Sequence, residues 1–242
     1  MEKAVQREKC ILVFIKSPEK GTVKSRLAAA IGAEHACRLY ENFVLDLLGT
    51  LRKTTEDGNN TLKVCFYPPE SGKTIAAWLG SGYEFLPQQG KDLGERMNNA
   101  FRESFSEGYR QILLVGSDIP DLPGKMINDG FASLERHGAV IGPTHDGGYC
   151  LIGFRSDGFL PDIFTGIPWS TSEVFEQTMA RFRLRNFDVS VLPPWRDIDT
   201  LEDLRDLMTR HQHGDFRESR TMRYLMTQFH LTNEEPCATD GK

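Results

Sequence analysis

The apolar positions of this chain fall into two patterns. Short apolar-rich stretches occupy 10–15 (Cys-Ile-Leu-Val-Phe-Ile), 61–67, 83–86, 112–115, 139–142, 149–154 and 187–192, of which 10–15 and 112–115 are unbroken. A run without alternation is what a strand buried on both faces requires, as in a parallel sheet. Between the runs, apolar residues recur every three or four positions. Ala36, Leu39, Tyr40, Phe43, Leu47, Leu48 and Leu51 mark a helix over 33–53. Shorter helices are predicted from about Val23, over 75–79, from the glycines 90 and 94 to about Glu107, over 123–136, 171–182 and 200–210. Pro123 suits a helix start, and Gly138 suits the position past a helix end. Ser170 with Glu173 and Thr200 with Asp203 have capping-box spacing. Asp57-Gly58-Asn59-Asn60 reads as a turn.

Strands alternating with helices imply an α/β fold: a single domain over 1–210 with a mostly parallel mixed sheet and helices on both faces. A polar extension, 211–242, follows, with one short helix near Thr221–Phe229 and a final ten residues whose composition favours disorder.

Composition narrows the chemistry. At 39% apolar and 26% charged, the 242-residue chain is globular rather than disordered. Its net charge of −5 argues against nucleic acid as a partner, so any phosphate site must be a local concentration of cations. The five cysteines form no Cys-x-x-Cys pair, which favours a reducing compartment and argues against zinc. No apolar run approaches the ~20 residues that span a bilayer, and the start lacks a signal-peptide pattern. A cytoplasmic protein without a membrane partner is expected. The sequence leaves the oligomeric state open.

Four polar clusters directly follow predicted strands. The first, Lys16 to Leu27, carries Lys16, Lys20, Gly21, Lys24 and Arg26 into a helix. Cations on a glycine-containing loop at a helix start make a phosphate site, although neither the P-loop nor the dinucleotide-turn spacing is present. The second follows the run ending at Gly116: Ser117, Asp118, then Pro120. Ligands bind beyond the carboxyl ends of strands in open α/β sheets, and a carboxylate there suits a hard cation. It equally suits a turn. The third is Asp146-Gly147-Gly148, either a hairpin turn or a place where a ligand lies on the backbone beside a carboxylate that serves as metal ligand or base. His145 is its neighbour. The fourth holds Asp197 and Asp199, two apart and so on one side of an extended segment; Asp199 suits helix capping as well as metal binding. Gln88-Gln89-Gly90 with Gly94 offers polar groups for a ribose or base edge, and Trp169 is either a stacking platform or core. No nucleophile elbow or HExxH helix is present.

In order along the chain stand K-x-P-x-x-G-x-x-K-S-R-L from Lys16, Q-x-G-x-D-L-G-x-R-M from Gln88, G-S-D-x-P from Gly116, G-P-x-x-D-G-G-Y from Gly142, and D-I-D-T-x-x-D-L from Asp197. Across about residues 10–208 this set resembles the bacterial nucleotide-diphospho-sugar transferases formerly grouped as a domain of unknown function. The resemblance implies a GT-A-like fold and a transferase that uses a nucleotide-diphospho-sugar donor and a small-molecule acceptor. It also implies Mg²⁺ or Mn²⁺, with Asp118 in the place of the metal-binding acidic motif. That motif usually has two carboxylates; here position 120 is Pro120, so Asp146 or Asp199 would complete the metal set. The residues then expected to bind substrate are Lys16, Gly21, Lys24, Arg26, Gln89, Gly94, Gly147, Gly148 and Trp169, with Asp146 catalytic. The layout is also similar to small nucleotidylyltransferases of the 2-phospholactate guanylyltransferase type. The alternative is therefore a nucleoside triphosphate joined to a small phosphorylated or carboxylated metabolite.

Overall fold

The computed structural model describes residues 8–55 and 60–229. Most of the turn expected at 57–60, Cys237 and the final ten residues lie outside the described residues. In chain order the elements are β1 (Lys9–Lys16), α1 (Ser25–Ile31), α2 (Ala33–Lys53), β2 (Asn60–Tyr67), α3 (Gly72–Leu79), β3 (Glu84–Pro87), α4 (Leu93–Ser106), β4 (Gln111–Gly116), α5 (Gly124–Leu134), β5 (Ala139–Pro143), β6 (Tyr149–Arg155), α6 (Val174–Leu184), β7 (Val189–Val191), α7 (Leu201–Arg210) and α8 (Arg220–Phe229). Every strand predicted from an apolar run is present.

The seven strands form one sheet in the order β3-β2-β1-β4-β6-β5-β7. Only β6 runs antiparallel, against both β4 and β5, while β1, β2, β3, β4, β5 and β7 share one direction. Their carboxyl ends therefore meet at one edge, and all four polar clusters lie along it. The β5–β6 connection is a hairpin, so Asp146 sits at that edge as well.

Strand β1 shows why an unbroken apolar run was needed. Ile11, Val13 and Ile15 point into a core with α2, α3 and α5. Cys10, Leu12 and Phe14 point into a second core with α4 and α6. Alternate side chains enter opposite faces, and both faces are covered. A third cluster joins Leu27 of α1, Ala36, Leu39 and Phe43 of α2, Leu204 and Leu207 of α7, and Met222 and Leu225 of α8. Asp46 of α2 fixes α8 by accepting from Arg220 N (3.0 Å) and Thr221 N (2.8 Å), two otherwise orphaned helix-start donors.

The Thr200–Asp203 capping box forms as expected at the start of α7. The Ser170–Glu173 box does not. Ser170 takes a left-handed φ of 68°, and α6 starts at Val174, where the Glu173 N–H donates to Thr171 Oγ1 over 3.3 Å. Local spacing is met, but the backbone turns the serine away. No helix among the described residues is long and apolar enough to cross a membrane.

Candidate nucleotide site

The centre of the sheet edge is held by a buried ion cluster. Lys24, with its side chain 2% exposed, places Nζ 2.5 Å from Asp118 Oδ1 and 2.8 Å from Asp199 Oδ1. Burial alone would lower the lysine pKa, but the two carboxylates outweigh it and hold the group above its ordinary value. For Asp199, burial pushes up and Lys24 pulls down harder, with Arg26 and Lys16 adding to the pull, so its carboxyl lies below the usual range. Arg26 Nη1 is 3.8 Å from Asp199 Oδ2 and its side chain is largely exposed. Lys20 is turned away onto Glu34. Lys16, at the end of β1, is exposed. The first loop thus contributes one buried cation and two accessible ones. Gly21 takes φ 81° in that loop, with open space where a Cβ would stand. Helix α1 is only seven residues long, and the cations placed at this site are the side chains of Lys16, Lys24 and Arg26.

Two connections bring Asp118 and Asp199 together. The segment after β7 continues beside β5, with Leu192 N donating to Ile141 O (2.8 Å) and Trp195 N to Pro143 O (2.9 Å). It then crosses the sheet edge until Ile198 N donates to Asp118 O at 2.9 Å. The second connection is a buried carboxylate that sequence reasoning missed. Asp121, whose side chain is 0% exposed, accepts from Trp195 Nε1 (3.1 Å) and Arg210 Nη1 (2.5 Å), and His211 Nε2 lies 2.9 Å away. His211, just past the end of α7, thereby helps tie that helix to the loop after β4. Tyr40 adds a third tie. Its hydroxyl accepts from Lys16 N (2.7 Å) and pairs with Ser117 Oγ (3.1 Å), joining the ends of β1 and β4. Burial, then the Asp118 charge, pushes its pKa up, so it stays a neutral bridge.

Asp197 lies on the same crossing segment. Burial, then the charges of Asp146 and Asp199, push its carboxyl up to about 7. Asp146 sits apart from the Lys24 pair in the β5–β6 turn. Its Oδ1 accepts from Thr144 Oγ1 (2.5 Å) and Gly148 N (2.9 Å), and Oδ2 has no hydrogen bond among the described residues. His145 beside it is exposed.

The glycines of this turn serve packing. Gly147 has φ 90°, and a Cβ there would lie 2.1 Å from Ser172 O, while Phe175 N donates to Gly147 O at 2.8 Å. The start of α6, not a ligand, makes the close approach. Thr144 and Asp146 fill the space at Gly148, with contacts at 3.1 and 3.2 Å. Gly147→Ala is therefore expected to cost about 1–3 kcal/mol and to displace the Asp146 turn, which urea unfolding would register directly.

Two further expectations resolve differently from the motif reading. A Cβ at Gly94 would lie 2.6 Å from Phe164 O and 2.8 Å from Trp169 Cζ2, and Trp169 also meets Tyr149 edge-on at 6.4 Å. Trp169 is half-buried wall rather than an open stacking face. Of the two glutamines, Gln88 is the inward one. Its Nε2 donates to Ile15 O (3.2 Å) and Cys65 O (2.8 Å), clamping the ends of β1 and β2. The Gln89 side chain is exposed, and its carbonyl accepts from Asn99. Asp92 caps α4 through Glu95 N at 2.8 Å, so much of the Q-x-G-x-D-L-G segment builds the loop.

For the divalent cation implied by the resemblance, Asp118 and Asp199 fit. Each points one oxygen at a common cationic point and remains partly open to solvent. Asp146 shares no such point with them, and among the described residues no three His, Cys, Asp or Glu side chains converge as a ready-made metal site.

The same fold recurs in solved proteins. A structure from Desulfovibrio desulfuricans G20, described as a candidate nucleotide-diphospho-sugar transferase, is 40% identical, covers 92% of this chain and 96% of its own, and superposes with a TM-score of 0.87. More distant are 4-diphosphocytidyl-2C-methyl-D-erythritol synthase from Anaerococcus prevotii DSM 20548 (11% identity, 86% and 100% coverage, TM-score 0.56) and a cytidylyltransferase from Leptospira borgpetersenii serovar Hardjo-bovis (13%, 94% and 98%, 0.51). These two share the fold alone. No curated protein matches the sequence. Residues 50–171 match the profile described as "Uncharacterized protein conserved in bacteria (DUF2064)". With that match across the middle of the chain and a 40%-identical relative along nearly all of it, the protein belongs to the DUF2064 family.

Proposed function

We propose that this protein is a metal-dependent transferase that takes a sugar from a nucleotide-diphospho-sugar and passes it to a small acceptor. The observation that carries this reading is the Lys24–Asp118–Asp199 cluster at the carboxyl edge of the sheet, flanked by the accessible cations Lys16 and Arg26. Carboxylates that converge on a cation, with further cations beside them, match a diphosphate that arrives with its metal. The described function of the 40%-identical relative supports the donor class.

In this reading Asp118 and Asp199 hold Mg²⁺ or Mn²⁺, which offsets charge on the diphosphate leaving group. Lys16, Lys24 and Arg26 bind the phosphate oxygens, and Gly21 allows the loop to fold around them. Gln88 and the half-buried Trp169 shape the wall along which the nucleoside lies, and Gln89 edges it. Asp146, with Oδ2 uncommitted, takes the proton of the acceptor hydroxyl if the transfer inverts.

A second reading, nucleotidyl transfer from a nucleoside triphosphate, is favoured by one feature: the three cations of the first loop exceed what a metal-bound diphosphate needs. A thermal-shift panel of nucleotide sugars and triphosphates, with and without Mn²⁺, separates the two. At a hundredfold excess over Kd, ligand stabilises by about 2.7 kcal/mol, or about 5–10 °C for a chain of this size. The expected result is such a shift with one nucleotide sugar, abolished by EDTA. A shift with triphosphates alone would favour the second reading.

A further inference from the structure

We propose that Lys24 is a displaceable resident cation, seated between Asp118 and Asp199 until a divalent metal takes its place. The inference rests on the metal site just proposed and concerns how that site is kept before loading. Asp118 Oδ1 and Asp199 Oδ1 both reach Nζ, at 2.5 and 2.8 Å. Magnesium binds its oxygen ligands at about 2.0–2.1 Å, so a divalent ion held by these two oxygens would occupy the space of the ammonium, and the charges of the two would repel. One cation therefore sits there at a time. With lysine the three groups carry a net charge of −1; with a divalent ion in its place the two carboxylates are neutralised.

The chain is built for such an exchange. Lys24 has φ 51° and ψ 50°, a left-handed conformation that side-chain-bearing residues adopt with strain. Its backbone links the exposed loop 19–22, through the buried Val23, to α1. The ion pairs to Asp118 and Asp199 hold the Lys24 ammonium in the cluster, with the Phe43 ring 5.8 Å beneath it. Releasing them frees the ammonium on a loop already beside Lys16 and Arg26, where phosphate oxygens would meet it. Metal alone must expel a lysine that then has no partner. Metal arriving with a diphosphate supplies that partner. The consequence is positive coupling between the two ligands and weak affinity for the metal alone.

Mn²⁺ binding to the whole protein, followed by electron paramagnetic resonance, tests this with metal as the sole probe. Lys24→Met removes the charge and keeps the length, and is expected to bind Mn²⁺ at least about tenfold more tightly than wild type. Adding Asp118→Asn to it should erase the gain, and Lys24→Arg should behave as wild type. Wild type supplies a second measurement that needs no variant. Acetylation of Lys24 by acetic anhydride, read by mass spectrometry, should rise as Mn²⁺ saturates the site. Equal Mn²⁺ affinity in wild type and Lys24→Met, or Lys24 acetylation unchanged at saturation, would overturn the exchange while leaving the metal site standing. Absence of Mn²⁺ binding in every form would overturn both.

Discussion

Asp118→Asn is expected to lower metal-dependent nucleotide affinity by about a hundredfold or more while leaving the fold intact. Loss of an outer-shell partner of a metal ligand alone costs about 10–100-fold, and Asp118 is proposed as a direct ligand. The fold should survive because Lys24 keeps Asp199 as an ionic partner at 2.8 Å, and an asparagine oxygen at 118 still accepts from the ammonium. Titration calorimetry with Mn²⁺ and a nucleotide sugar reads the affinity, and thermal unfolding without ligand checks the fold. Unchanged metal dependence in this variant would remove Asp118 from the site.

Asp121→Ala is expected to act on stability instead, by about 3–5 kcal/mol, the usual cost of breaking a buried ion pair from one side. The substitution leaves the Arg210 guanidinium, the Trp195 indole N–H and the His211 ring without their shared acceptor, in a place where the carboxylate had no exposure. For a chain of this length the midpoint should fall by about 6–20 °C. Because this carboxylate fastens the crossing segment 195–199 to the loop of Asp118, nucleotide affinity should weaken with it. A loss below about 1 kcal/mol in urea unfolding would show that water replaces the network at little cost.

The fold was legible where the physics is local. The strands announced themselves because both faces of the sheet are covered, so Ile11 to Ile15 could not alternate with polar residues. Helix α2 was read at both ends, Ala33 and Lys53, because its apolar stripe is long and regular. The Ser170–Glu173 spacing misled because capping also needs an extended backbone at the cap, and Ser170 is left-handed. Gln88 could have been found. Continuing the period of two past β3 places Gln88 on the buried side with Leu86 and leaves Gln89 exposed.

The site was legible as four clusters after strands, but not as contacts. Lys24 and Asp199 are 175 residues apart, and Asp121 and Arg210 are 89 apart. Neither pair carries a local pattern, and which carboxylate meets which cation depends on how segment 192–199 crosses the sheet. Tyr40 was hidden in a helical stripe where its ring is core, although a buried tyrosine hydroxyl generally seeks a partner. The glycines of the Asp146 turn looked like room for a ligand; Ser172, far along the chain, fills the space at Gly147.

The most direct test of the central claim is phosphorus magnetic resonance of the protein incubated with Mg²⁺, a mixture of nucleotide sugars and nucleoside triphosphates, and a pool of small hydroxyl-bearing, phosphorylated and carboxylated metabolites as acceptors. Sugar transfer breaks the bond between the sugar and the diphosphate, so the account predicts release of a nucleoside diphosphate from one nucleotide sugar, absent in Asp118→Asn. Release of pyrophosphate from a triphosphate, with every nucleotide sugar intact, would contradict it.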